Sequence, residues 1–330
     1  MTFKYNNVYI ENTATVAGPY EKKGPLKKYY DKTFDDLYFN ETSWEKAEIK
    51  SVKESLKLLY KKSGLKRKEV DVILGGDLLN QIAATTYGAY GFAKSFLGLY
   101  GACSTSVEGM ILGSTLIDSS KVKNAVVTIS SHNMAAEKQF RNPTEYGAPK
   151  PNSATFTATG SASVLLTHKK TDIKVESSTI GDIIDFGQND PNDMGKVMAP
   201  AAIDTIKRHL SDLKRKPEYY DLIVTGDLGL YGKEILKDYM LEEYNLDLSK
   251  NYNDCGVMLY DLKKQEECLA GGSGPVCSAL VAFGYIYHEM KKKNLKKVLI
   301  VATGALFSPT MVYQKENIYS IANAISLEVV

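Results

Sequence analysis

Apolar residues between positions 42 and 64 recur at helical spacing: Trp44, Ala47, Val52, Leu56 and Leu59 fall along one face, with charged residues between them. Thr42 and Glu45 have the spacing of a capping box, and Gly64 can close the helix, so the pattern predicts a helix bounded at both ends. The pattern then changes. VDVIL at 70–74 is a short β-branched run ended by Gly75 and Gly76, with no polar alternation, as in strands buried on both faces. AVVTIS at 125–130, DLIVT at 221–225 and VLIVAT at 298–303 have the same character, and each follows a helical pattern. The prediction is an alternating α/β fold. The Gly/Pro-rich segments 18–25 and 147–152 predict loops.

The chain also resembles itself. GGDL at 75–78 recurs as TGDL at 225–228, each time directly after a strand that begins with Asp. After the first come GLYGACSTSVEG, a helix and AVVTISSHN; after the second come AGGSGPVCSALVAFGYIYHEM and VLIVATGALFSPT. A shared order of glycine turn, helix and strand predicts a duplicated unit, with one half over residues 1–170 and the other over 171–330. An undivided three-layer α/β protein is the competing expectation.

Composition narrows the function classes. With 44% apolar and 24% charged residues over 330 positions, the chain can bury a large core. Its 41 basic and 39 acidic residues give a net charge of +2, too small for a global field that would gather nucleic acid, so any anion site must be local. No stretch approaches the ~20 apolar residues that span a bilayer, and the first residues lack the apolar core of a signal peptide, which predicts a soluble, cytosolic protein. Cys103, Cys255, Cys268 and Cys277 show neither CxxC nor Cys/His spacing, so no disulfide framework or structural zinc is expected.

Candidate chemistry gathers at a few turns. Cys103 lies in GACSTS at 101–106, between apolar FLGLY and the helix pattern SVEGMILGSTLID. A helix start offers unpaired amides and a positive dipole end, which suit a nucleophile or an anionic ligand, whereas a lone Cys is more often a small buried residue. His132 and Asn133 follow the 125–130 strand in SSHN, where open α/β sheets place ligand groups; a hydrogen-bonded structural histidine is the competing expectation. His168, His209 and His288 sit among charged residues and are expected at the surface. EKQFRNPTEYGAPKP at 137–151 places Arg141 and Lys138 beside Phe140 and Tyr146, and Arg can hold a carboxylate with two prongs. AGGSG at 270–274, with Gly272 and Ser273, precedes another helix and offers a second set of backbone donors; without GxxxxGKS spacing it is not a nucleotide phosphate loop.

Cys103 in GACSTS, the GSASVLLT strand, AGGSG before a helix and VLIVATGALFSPT together resemble the thiolase superfamily, especially its ketoacyl synthase III branch. The resemblance implies a duplicated five-layer αβαβα fold, usually a homodimer, with the cysteine at the head of a buried helix. Condensing members use that cysteine as acyl acceptor, helped by a His and an Asn or by two His. Here TGDLG, with Gly226 and Asp227, stands in place of the His, and AGGSG, with Gly272, in place of the Asn. A carboxylate cannot donate to an oxyanion as an imidazole does, so a non-enzymatic protein is expected; an acyl-transferring synthase III-like enzyme using Cys103 is the alternative.

The longer strings TATVAGPYEKKGPL, YYDKTFDD, GGDLLNQ, SSHNMAAEKQFRNPTEYGAPKP, DMGKVMAPAAIDTIKRHL and NDCG resemble the stage V sporulation protein AD family. That resemblance implies binding of dipicolinic acid and its uptake into the developing spore, together with integral SpoVA proteins, by a subunit peripheral to the membrane. The implied ligand-binding set is Cys103 (a vestigial nucleophile position), His132, Asn133, Arg141, Asp227, Gly272 and Ser273. No protein-held metal or cofactor is expected; calcium would enter only with dipicolinate, which supplies its own donors. Dipicolinate is a flat dianion, so at least one cation, Arg141 or a neighbouring lysine, should meet it.

Overall fold

The computed structural model describes residues 1–93, 95–140 and 150–330. Its strands are β1 Thr2–Lys4, β2 Tyr9–Ala17, β3 Val72–Gly76, β4 Ser95–Gly98, β5 Asn124–Ser131, β6 Gly160–Thr167, β7 Ile173–Thr179, β8 Leu222–Thr225, β9 Tyr252–Asp254, β10 Lys297–Ala305 and β11 Ser320–Val329, besides three two-residue strands. The principal helices are α1 Trp44–Ser63, α2 Ala83–Ala89, α3 Thr105–Asp118, α4 Asn133–Phe140, α5 Met194–Asp212, α6 Gly229–Tyr244 and α7 Pro275–Leu280.

The main sheet runs β9-β8-β10-β11-β7-β2-β6-β5-β3-β4. Outward from the β7–β2 seam, both sides follow the same order. On one side β2 is antiparallel to β6, β6 antiparallel to β5, and β3 and β4 add in parallel. On the other side β7 is antiparallel to β11, β11 antiparallel to β10, and β8 and β9 add in parallel. β1 lies beside β7 with Thr2 opposite Thr179, so the start of the chain is laid along the second run of strands.

α1 forms as its apolar spacing predicts, and buries Ala47, Val52, Leu56 and Leu59 against the first run. Its cap is Ser43, whose hydroxyl accepts from the Lys46 amide at 3.3 Å, and not Thr42. Thr42 instead accepts from the Lys46 ammonium at 3.0 Å. Gly64 closes the helix at φ 67°, the left-handed conformation that glycine adopts without cost. The buried face also carries Ser51, Ser55 and Glu48; Ser55 meets Ser161 and Ser163 at 2.9 Å each, which meets its hydrogen-bonding demand inside the core. The predicted loop at 18–25 contains a short helix, Pro19–Lys23, started by a proline whose fixed φ suits a first helical position.

α3 lies between the two runs and touches β5 and β3 on one side and β10 and β11 on the other, while α5 covers β10 and β11 from outside. α7 packs beside α3 and continues through a π turn at Val281–Ile286 into Tyr287–Lys291. The hydroxyls of Ser106 and Ser278, at the heads of these two central helices, meet at 2.7 Å. Helix, sheet, helix, sheet and helix thus follow in five layers. Among the described residues, no helix is long and apolar enough to cross a membrane, and no group of three or more His, Cys, Asp or Glu side chains could hold a metal ion.

Candidate functional site

At the C-terminal ends of the strands, where the two runs face each other, lies a cavity of about 500 Å³. Its floor is built from Cys103, Asp227, Ser273 and Gly274, and its walls are largely apolar, among them Phe140, Phe307, Met194, Met198 and Pro309. Phe140 and Phe307 pack ring to ring with centroids 5.7 Å apart. The position is the usual one for a ligand in an α/β sheet.

Cys103 occupies a 3₁₀ turn, Ala102–Ser104, immediately before α3. Ala102 has φ 49°, a left-handed conformation that costs a non-glycine residue roughly 1–2 kcal/mol. Ser104 and Thr105 return their hydroxyls to Gly101 and Ala102 carbonyls at 2.7 and 2.6 Å, which holds the turn shut. The opposite turn is equally tight. Gly274 has φ 88° and leads into α7, where Pro275 takes the first position. A methyl group on Gly304 would lie 2.6 Å from the Gly101 carbonyl oxygen, so the β10 strand end can approach the cysteine turn only as glycine.

Asp227 joins these pieces. One carboxyl oxygen accepts from the Thr303 hydroxyl at 2.7 Å and the other from the Gly274 amide at 3.0 Å. The Cys103 thiol hydrogen-bonds to the same carboxyl. Burial pushes Asp227 up to about 7, against the downward pull of those bonds, and the Asp254 carboxyl adds to the upward push. Cys103 is pushed well above its ordinary value, first by burial and then by the Asp227 charge. A carboxyl beside a thiol opposes thiolate formation; an imidazolium would favour it. Among the described residues that line the cavity there is no histidine.

Of the expected ligand set, Cys103, Asp227 and Ser273 come together on the floor. Gly272 stands behind it, paired with Phe156 and packed against Cys277, Leu259 and Tyr260. His132 is buried away from the cavity; its Nε2 meets the Leu37 carbonyl at 2.7 Å, and burial lowers its pKa to about 4. It is the structural histidine of the two expectations. Asn133 begins α4, its amide donating to the Thr159 hydroxyl at 3.0 Å, and it does not line the cavity. Arg141 lies outside the described residues. Lys138 pairs with Glu45 at 2.6 Å on the surface. The cation that lines the cavity among the described residues is Lys150, 3.1 Å from Glu137. His209 is no surface residue: it is buried between the Thr179 and Tyr220 hydroxyls at 2.8 and 2.7 Å.

A five-layer mixed sheet with a cysteine turn at the head of its central helix defines a thiolase-like protein. Two solved structures share the fold at low identity. A single-residue variant of OleA of Xanthomonas campestris has a TM-score of 0.63, with 9% identity and 99% of each chain covered. The 3-oxoacyl-(acyl carrier protein) synthase III FabH of Xanthomonas oryzae pv. oryzae has a TM-score of 0.61, with 10% identity and 99% of this chain and 100% of that chain covered. Residues 1–328 match the family described as Stage V sporulation protein AD. Stage V sporulation protein AD of Bacillus subtilis (strain 168) is 44% identical over 321 residues, which cover 97% of this chain and 94% of that protein. The chain belongs to the stage V sporulation protein AD family: it is a sporulation protein with a thiolase-like fold.

Proposed function

We propose that the cavity binds dipicolinic acid without chemical turnover, and that the protein presents this ligand to membrane-embedded SpoVA partners for uptake into the developing spore, lying peripheral to that membrane. The observation that carries the non-enzymatic part is the Cys103–Asp227 contact. The thiol faces a carboxyl and is held protonated, the reverse of what a condensing nucleophile needs. The resemblance to the family supports the ligand class, and the lining of the cavity suits it. Phe140, Phe307 and the two methionines offer apolar walls for a flat ring, while Ser273, Thr157, Asn192 and Lys150 supply donors for carboxylates. Calcium belongs to this reading only as a companion chelated by the ligand.

The test is calorimetric titration with dipicolinate, with and without calcium, on the intact protein and on Lys150→Ala, Asp227→Asn and Cys103→Ala. Saturable binding that Lys150→Ala weakens at least tenfold and Cys103→Ala leaves intact is the expected result. Absence of binding under both conditions would overturn the reading. The synthase III alternative has one specific support, the fold shared with such enzymes, and would be established by an acyl thioester on Cys103 after incubation with acyl-coenzyme A.

We also propose a homodimer. β4 is an outer strand of the sheet, exposed at all four residues, and carries Phe96 and Leu97 close to exposed Tyr100. An unpaired apolar edge favours addition of another strand, here from a second copy.

A further inference from the structure

Lysines from two distant parts of the chain converge on one face. Lys22, Lys23 and Lys27 line a shallow depression with Pro19 and Asp35. Next to it, the Lys28 ammonium sits 5.0 Å from the centre of the Tyr29 ring, and that of Lys292 sits 5.8 Å from the same ring. Tyr29 is anchored there by Tyr285, at 5.2 Å between ring centroids, and by a 3.0 Å bond from its hydroxyl to Glu289. Lys291 and Lys293 flank Lys292, and all seven lysines are exposed. The carboxylates paired with them are Asp35 with Lys22, Glu289 with Lys292 and Asp172 with Lys291. Lys23, Lys27, Lys28 and Lys293 have no ion-pair partner among the described residues. Seven lysines against three acids leave an excess of four charges, more than the net +2 of the whole chain.

We propose that this lysine face docks on the anionic surface of a phospholipid bilayer. Such a surface attracts clustered ammonium groups over a Debye length and needs no preformed pocket, which suits long, exposed lysine stems held at fixed bases. The shallow depression, open and lined by three ammonium groups, fits one phosphate-bearing headgroup. The proposal deepens the peripheral placement given above and is independent of ligand binding in the main cavity.

The test is sedimentation of the full-length protein with vesicles of phosphatidylglycerol and phosphatidylcholine, against phosphatidylcholine alone, at low and at 0.5 M salt. The fourfold variant K23E/K27E/K28E/K293E is compared with a control of equal charge change, K66E/K68E/K214E/K216E. Circular dichroism and dipicolinate calorimetry report on folding and on the main cavity separately. Expected is binding to anionic vesicles that high salt abolishes, that the lysine-face variant loses at least tenfold, and that the control retains. No binding to anionic vesicles, equal binding to neutral ones, or equal loss in the control would each overturn the proposal. So would retention by a polynucleotide column without vesicle binding, which would assign the face to another polyanion. If vesicle binding fails while calorimetry succeeds, only the placement falls.

Discussion

Replacing Asp227 with Asn tests the electrostatic account of the floor. The carboxyl is 1% exposed and pushed up to about 7. In the unfolded chain an aspartate titrates near ~3.9, so the native state holds this proton about three pH units longer, which corresponds to roughly 4 kcal/mol. The sign follows from linkage. Between pH ~4 and about 7 the native state binds more protons at this site than the unfolded state. The stabilisation from the protonated carboxyl is therefore full below ~4, is lost as pH rises to about 7, and stays lost above. Asparagine pays no ionisation cost, but with one oxygen it cannot accept from Thr303, Gly274 and Cys103 together, a loss of about 1 kcal/mol. Asp227→Asn should thus be slightly destabilising below pH ~4, near neutral at pH 5, and more stable than the parent, by on the order of 3 kcal/mol, at pH 8. Urea denaturation of both proteins at pH 5, 6, 7 and 8 measures the gap. Asp254, itself raised to about 6 by burial, titrates with Asp227 and broadens the change without reversing it. A gap that stays constant from pH 5 to 8 would refute the reasoning, because it would mean that Asp227 does not change protonation there.

Other outcomes follow from the same geometry. Cys103 should react with iodoacetamide far more slowly than a free thiol at pH 7, and Asp227→Asn should speed it by removing the opposing charge, a change read by mass spectrometry. If the floor receives a dianion, binding should draw a proton onto Asp227, so the apparent enthalpy at pH 7.5 should vary with the ionisation enthalpy of the buffer; independence from buffer would separate the ligand from this carboxyl. Phe96→Lys with Leu97→Lys should yield a monomer by sedimentation velocity if the β4 edge joins two copies, with secondary structure unchanged. Ser43→Ala should lower the melting temperature by removing a cap worth about 1 kcal/mol.

The layers could be read from the sequence because the strands were β-branched runs that each follow a helical pattern, and the cysteine turn because small residues crowd it. The echo of GGDL in TGDL was real in position but silent about role. Asp77 stays local, accepting from Leu79 at 2.8 Å and from the Thr85 amide and hydroxyl at 2.7 Å. Asp227 reaches across to Thr303, Gly274 and Cys103, and Asp254 takes over the local duty at the Leu228 and Gly229 amides. Nothing in four residues distinguishes the two, because the difference lies in which strand end is opposite. His132 was misplaced for the same reason: the Leu37 carbonyl that captures it is 95 residues away. His209 carried a usable signal, since it continues the apolar face of Ala202 and Ile206, but Lys207 and Arg208 beside it suggested solvent. The walls at Phe307, on the connection after β10, and at Met194, the first residue of α5, stand where apolar periodicity gives no warning.

The lie of β1 and β2 along β7 has one more consequence. From Thr2 opposite Thr179 to Ile10 opposite Ile173, the first ten residues complete the sheet edge of the second run. The second run is therefore completed by residues from the start of the chain. A fragment starting at residue 171 would bare β7 and should recover order when a peptide of residues 1–17 is added back, so the N-terminus behaves as a built-in donor strand, and tags or truncations placed there would act on the far side of the molecule.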